Sequence, residues 1–246
     1  MDINNHIKDF GEKCRKELLK NIMPFWMKNG WDRKHGGVYT CLDRDGTLMD
    51  TTKSVWFQGR FAYALSYAYN NVEKNAEWLE AAKSAIDFFE RTCFDSRGRM
   101  YFEVMADGTP LRMRRYVFSE CFAAIALAEY SLASGDVNCA ERAVNLFHRI
   151  RSFMQDSAMM PPKHEPAMAS QGHSLTMILI DVANVLKRIS NDPILDQQIT
   201  ESIDNLMRYF VHPEFLVTSR FFLPDLRECW KSNPVSRFIC FVLCPP

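Results

Sequence analysis

The sequence predicts an all-α protein built as a double ring of helices, an α/α toroid with short β-hairpins. Two observations carry that reading: helices of two kinds alternate along the chain, and one segment repeats 62 residues later. In the repeat, "GGVYTCLDRDGTLMDTTKSVWFQGRFAYAL" at 36–65 matches "GRMYFEVMADGTPLRMRRYVFSECFAAIAL" at 98–127. Gly36 pairs with Gly98, Tyr39 with Tyr101, and the turn Asp45-Gly46-Thr47 with Asp107-Gly108-Thr109. Each copy reads as a short strand, an Asp-Gly hairpin turn, and then a helix.

The elements follow in order. Segments 6–28, 74–93, 137–155 and 194–211 are amphipathic. In the second of these, Trp78, Ala82, Ala85 and Phe89 recur at helical spacing, while Glu77, Glu80, Lys83, Asp87 and Glu90 are left for water. Segments 54–69, 117–132 and 174–189 are apolar on nearly all sides, as in "YVFSECFAAIALAEY" and "HSLTMILIDVANVL", and such helices are enclosed. Outer and inner helices therefore alternate around a central cavity whose mouth the connections form. A stacked solenoid also alternates paired helices, but common helical solenoid repeats run about 33 to 47 residues.

Composition narrows the function classes. Over 246 residues, 30 basic and 30 acidic side chains cancel, which argues against nucleic acid or an anionic membrane as the partner and favours a small neutral ligand. The N-terminus is too polar for a signal peptide and no stretch approaches a membrane span, so a cytosolic placement is expected. Eight cysteines without a CxxC or a His/Cys ligand spacing read as free thiols, with no metal site and no disulfide framework.

Three linked motifs, "FWMKNGWDRKHGGVYTCLDRDG", "KSVWFQGRFAYALS" and "YVFSECFAAIALAEY", resemble the N-terminal half of the N-acylglucosamine 2-epimerase family, over about residues 8–215. The resemblance implies an (α/α)6 barrel, here cut to about seven helices, and interconversion of N-acetylglucosamine with N-acetylmannosamine, a step tied to sialic acid metabolism. Related members act on cellobiose or mannose, and a non-catalytic binding or regulatory role is a further class. No cofactor is implied; ATP is implied as an effector. The expected partner is a small neutral amino sugar, and a homodimer is left open.

Inverting C2 of an open-chain sugar requires two acid/base groups flanking that carbon and a group that stabilises the enolate. The family's catalytic histidine pair, one of them in a "PGH" motif beyond the equivalent of residue 215, has no counterpart among His6, His35, His148, His164, His173 and His212, so no catalytic residue is assigned. Residues 1–215 are thus expected to form a partial epimerase-like domain. Residues 216–246 read as an atypical or alternative tail, and the chain is expected to be inactive alone.

Substrate binding is expected from Arg60, on one helical face with Trp56, Tyr63 and Tyr67. The resemblance places an active-site arginine there; an ion pair with Glu120 is the bland reading. Glu120 occupies in the second inner helix the place Gln58 holds in the first, and either accepts a sugar hydroxyl or holds Arg60. His173 is expected at the cavity rim, with Ser170 or Ser174 capping its helix, and His164 in the loop "MMPPKHEP" at the mouth. His35 is read as a turn residue.

Overall fold

The computed structural model describes residues 3–161 and 171–212, with the strand segments 217–219, 221–222 and 240–241. Helix α1 (Ile3–Glu17) passes through a π-helical turn at Leu18–Ile22 into α2 (Met23–Asn29), where Pro24, directly after the turn, has no N–H to give to the ladder of the preceding turn. The expected 6–28 helix therefore forms as one rod with a locally widened turn. The remaining helices are α3 (Val55–Asn71), α4 (Ala76–Thr92), α5 (Phe118–Ser134), α6 (Val137–Gln155), α7 (His173–Leu186) and α8 (Pro193–Tyr209).

Local chemistry sets their ends. Asn75, Asp136 and Asp192 each accept a backbone N–H at the start of α4, α6 and α8, and Gly135, with φ 77°, closes α5 in the left-handed region. The N-cap of α7 is Gly172, without a side-chain cap bond among the described residues; Ser170, one of the two expected caps, falls outside them.

The repeat is visible in the hairpins. Strands β1 (Cys41–Leu42) and β2 (Leu48–Asp50) pair antiparallel, as do β4 (Glu103–Val104) and β5 (Pro110–Arg112), while β3 (Lys53–Ser54) adds to β4. In the two turns Thr47 and Thr109 donate their backbone N–H to Asp45 and Asp107 at 2.8 and 2.9 Å. Gly46 and Gly108 adopt φ of 91° and 97°, a region closed to most side chains. Strand β6 (Gln171–Gly172) pairs with β9 (Phe221–Phe222), and β7 (Val211–His212) forms a hairpin with β8 (Val217–Ser219), which β10 (Cys240–Phe241) joins.

Helix α5 packs between α3 and α7, with α4, α6 and α8 behind as the outer layer. Every residue from Ser119 to Ser131 is buried, as the apolar pattern predicts. The α3–α5 contact is close: a Cβ on Gly59 would stand 2.6 Å from the carbonyl carbon of Phe122. The outer layer contributes Phe88, Phe89, Phe147, Ile150 and Leu195 to the core. Among the described residues α3 has no inner helix before it and α7 none after it, and Phe57, Tyr67 and Met177 on their free flanks are exposed. No described helix is long and apolar enough to cross a membrane.

Candidate functional site

The N-terminal turns of α3 and α5 build an aromatic floor. Trp56 packs edge-on against Phe102 at 5.3 Å between ring centroids and tilted against Phe118 at 5.2 Å and Phe122 at 5.9 Å. These contacts arise because neighbouring inner helices align their repeat-equivalent residues: Trp56 and Phe118 are 62 apart, as are Arg60 and Phe122. Arg60 extends over this floor, its guanidinium carbon 4.7 Å from the centre of the Phe122 ring. It is exposed, and no acceptor among the described residues pairs with it. The ring face offsets part of the cost of the charge, and the five N–H donors remain available to a ligand. Farther along the same face, Tyr63 and Tyr67 stand 5.9 Å apart, ring to ring. Burial raises the Tyr63 pKa, and the charges of Glu129 on α5 and Asp181 on α7 raise it further, so all three inner helices meet around this phenol.

Two expected ligands lie elsewhere. Gln58 is fully buried; it accepts the Val38 N–H at 2.8 Å and donates to Val38 O at 2.9 Å and Ser54 O at 3.2 Å. Glu120 makes the repeat-equivalent contact, accepting the Met100 N–H at 2.9 Å, and its partner is Arg99, not Arg60, at 2.7 Å. Both side chains clamp an inner helix to the strand segment before it. Neither reaches the aromatic floor, because residues two apart on a helix point about 200° from each other. Burial raises the Glu120 pKa against the pull of Arg99, and its Oε2 has no hydrogen-bond partner among the described residues.

Arg99 was not foreseen. Its guanidinium, 2% exposed, also donates to the carbonyls of Met159 and of Tyr116 (3.0 Å), stapling both the segment before α5 and the chain after α6. A second unforeseen knot joins the far ends of the inner helices: buried Glu129 accepts from Asn70 at 2.7 Å and pairs with Arg188. A carboxylate in the middle of an otherwise apolar helix was the available signal, since such a charge needs a buried partner. Lys53, also buried, donates to Asp32 at 2.7 Å, Gly36 O at 2.7 Å and Ala106 O at 2.8 Å, which uses all three of its protons.

The histidines are placed apart from Arg60. His35 bonds Asp32 at 3.1 Å in the turn before β1, and His148 bonds Asp192 at 2.7 Å on the outer layer. His173 starts α7, packed edge-on against Phe210 at 5.3 Å, and burial lowers its pKa. His6 lies on exposed α1, and His164 falls outside the described residues. A cavity of about 860 Å³ opens on the outer side between the Trp31–Gly36 turn and α4 and does not include the aromatic floor.

A model of the N-acylglucosamine 2-epimerase (GlcNAc 2-epimerase) family matches residues 37–245. The chain belongs to this family. The match continues past residue 215, where the resemblance read from the residues stops, through the segment set apart as a tail. The chain is 32% identical over 174 residues to the N-acylglucosamine 2-epimerase of Homo sapiens, across 68% of this chain and 41% of that protein. It is 33% identical over 141 residues to a cellobiose 2-epimerase of Ruminococcus albus, across 56% and 36%. The structure of cellobiose 2-epimerase from Bacillus thermoamylovorans superposes with a TM-score of 0.78 at 23% identity, over 87% of this chain and 60% of that one. The shared fold is the (α/α)6 barrel. The chain thus spans less than half the length of these curated relatives.

Proposed function

We propose that this chain carries the sugar-binding part of a 2-epimerase site and takes N-acetylmannosamine or N-acetylglucosamine on the aromatic floor beside Arg60. The observation that carries the reading is the exposed Arg60 guanidinium poised over Phe122 without an acidic partner among the described residues. The exposed part of Trp56 would pack against the apolar face of a sugar, and the guanidinium held on Phe122 would bond its carbonyl oxygen, the atom that gains charge when C2 loses its proton. The relatives named for N-acylglucosamine favour an acylamino sugar over cellobiose, since they match more of the chain.

Epimerisation removes the C2 proton to one base and returns a proton from an acid on the opposite face. His35, His148 and His173 are engaged elsewhere, so the described residues supply the binding surface without that pair. Binding without turnover is the expected behaviour of this chain. The chemistry needs no resident cofactor, and ATP, as an effector implied by the resemblance, belongs to the same proposal.

The test is exchange in D2O. Incubated with N-acetylmannosamine, the chain is expected to broaden the sugar's NMR lines while leaving C2–H undeuterated and forming no N-acetylglucosamine. Turnover near the usual enzymatic range, roughly 1 s⁻¹ or faster, would overturn the binding-only reading. Equal broadening of mannose and cellobiose would overturn the substrate assignment.

A further inference from the structure

The aromatic floor carries a second guanidinium. Phe102, which meets Trp56 edge-on at 5.3 Å, is itself covered by Arg114, whose guanidinium carbon stands 4.2 Å from the ring centre. Arg114 lies in the segment that leads from β5 into α5, and backbone bonds fix that segment: Phe102 donates its N–H to Arg112 O at 2.8 Å, and Arg114 O accepts from buried Arg99 at 3.4 Å. Arg112, two residues earlier, also reaches Phe102, at 5.5 Å, but its charge is met by Glu103 at 2.7 Å. Arg114 is exposed, and among the described residues no carboxylate pairs with it. The fold requires neither this cation nor Arg60. Thr52 stands one repeat before Arg114 and Phe122 one repeat after Arg60, and the same hairpin and helix form around them.

We infer that the site prefers a phosphorylated sugar, with the C1 carbonyl on Arg60 and a phosphate at the far end of the molecule on Arg114. The inference rests on the sugar-site reading above and adds the charge of the ligand. The two guanidiniums stand on different rings, Phe122 and Phe102, which both pack against Trp56, so they suit opposite ends of one ligand. A neutral sugar would leave both charges uncompensated, and a single carboxylate would leave one. A phosphate monoester carries about −1.5 to −2 near neutral pH, and its oxygens accept the planar guanidinium fork in pairs.

Calorimetric titration at fixed salt tests this with three probes: N-acetylmannosamine, N-acetylmannosamine 6-phosphate and inorganic phosphate. The parent chain is expected to bind the phosphorylated sugar roughly tenfold or more tighter than the neutral one, the worth of a hydrogen bond to a charged group. Inorganic phosphate should bind more weakly than the sugar phosphate. Arg114→Ala should bring the phosphorylated sugar down to the affinity of the neutral one, and Arg114→Lys, which keeps the charge and loses the fork, should restore part of the gain. Both variants keep the carbonyl that Arg99 uses, so circular dichroism should be unchanged. Equal affinity for the two sugars, a gain that survives Arg114→Ala, or inorganic phosphate binding as tightly as the sugar phosphate would overturn the inference. If the neutral sugar binds and Arg60→Ala weakens it while the phosphate brings no gain, the sugar-site reading stands and this inference falls. If neither sugar binds, both fall.

Discussion

Replacing Glu120 separates a clamp from a sugar ligand. Its Oε1 accepts both the Arg99 guanidinium at 2.7 Å and the Met100 N–H at 2.9 Å, with both side chains essentially free of solvent. Glu120→Ala strands a buried guanidinium and a buried amide at once. Breaking a buried pair from one side costs about 3–5 kcal/mol. The stranded N–H overlaps with that figure, so about 4 kcal/mol is expected for the variant as a whole. Glu120→Gln behaves differently, because Gln58 already shows how an amide fits this place in the first repeat. Its oxygen would keep both contacts and its NH2 would face the carbonyls of Met100 and Tyr116, the counterparts of Val38 and Ser54. A loss of about 1–2 kcal/mol is expected, mostly from the lost charge. Urea unfolding reads both values at constant slope, and the alanine variant should melt roughly 8–16 °C lower. Burial also raises the Glu120 pKa above 4.5, so the folded chain holds that proton more tightly than the unfolded one and stability falls as pH rises through this window. Glu120→Gln should remove that dependence. An alanine variant within about 0.5 kcal/mol of the parent that fails to bind sugar would refute the clamp.

Other consequences follow from the same geometry. For Asp32, burial alone would raise the pKa, but the Lys53 hydrogen bond, the N–H groups of His35 and Lys34 and the Lys53 charge outweigh it and lower the value from 3.8 to about 2. A depressed carboxylate contributes stability above its unfolded pKa and loses it as pH falls through the folded one, so about 2 kcal/mol should disappear between roughly pH 4 and pH 2. Asp32→Asn should flatten that limb of the unfolding profile; an unchanged limb would contradict the buried pair. Gly59→Ala adds a methyl 2.6 Å from backbone that cannot turn aside, and thermal unfolding should show a loss of about 1–3 kcal/mol despite alanine's better helix propensity. A neutral or stabilising result would mean that α3 and α5 stand farther apart.

The ring architecture was legible because its two signals are periodic. The offset of 62 superposes hairpin on hairpin, and the absence of a polar face on α5 follows from neighbours on both sides. The site was legible only along one helical face. Trp56, Arg60, Tyr63 and Tyr67 share a stripe, whereas Gln58 is two residues from Arg60 and must point away; helical geometry alone excludes it, and its counterpart Glu120 with it. The exposure of Arg60 depends on which helices surround α3, which the residues of that helix do not show. Arg99 could not be read from the chain. It lies in a turn, where a cation normally meets water, and only the convergence of Glu120, Tyr116 and Met159 encloses it.

The most direct test of the sugar-binding site is calorimetric titration of N-acetylmannosamine into the parent chain and Arg60→Ala. Arg60 is exposed, so the variant should match the parent's stability within about 0.5 kcal/mol and any change reports on binding. Hydrogen bonds from a charged donor are worth about 1.5–3 kcal/mol, which predicts roughly ten- to hundredfold weaker binding. Equal affinity in the two proteins would contradict the placement of the sugar beside Arg60.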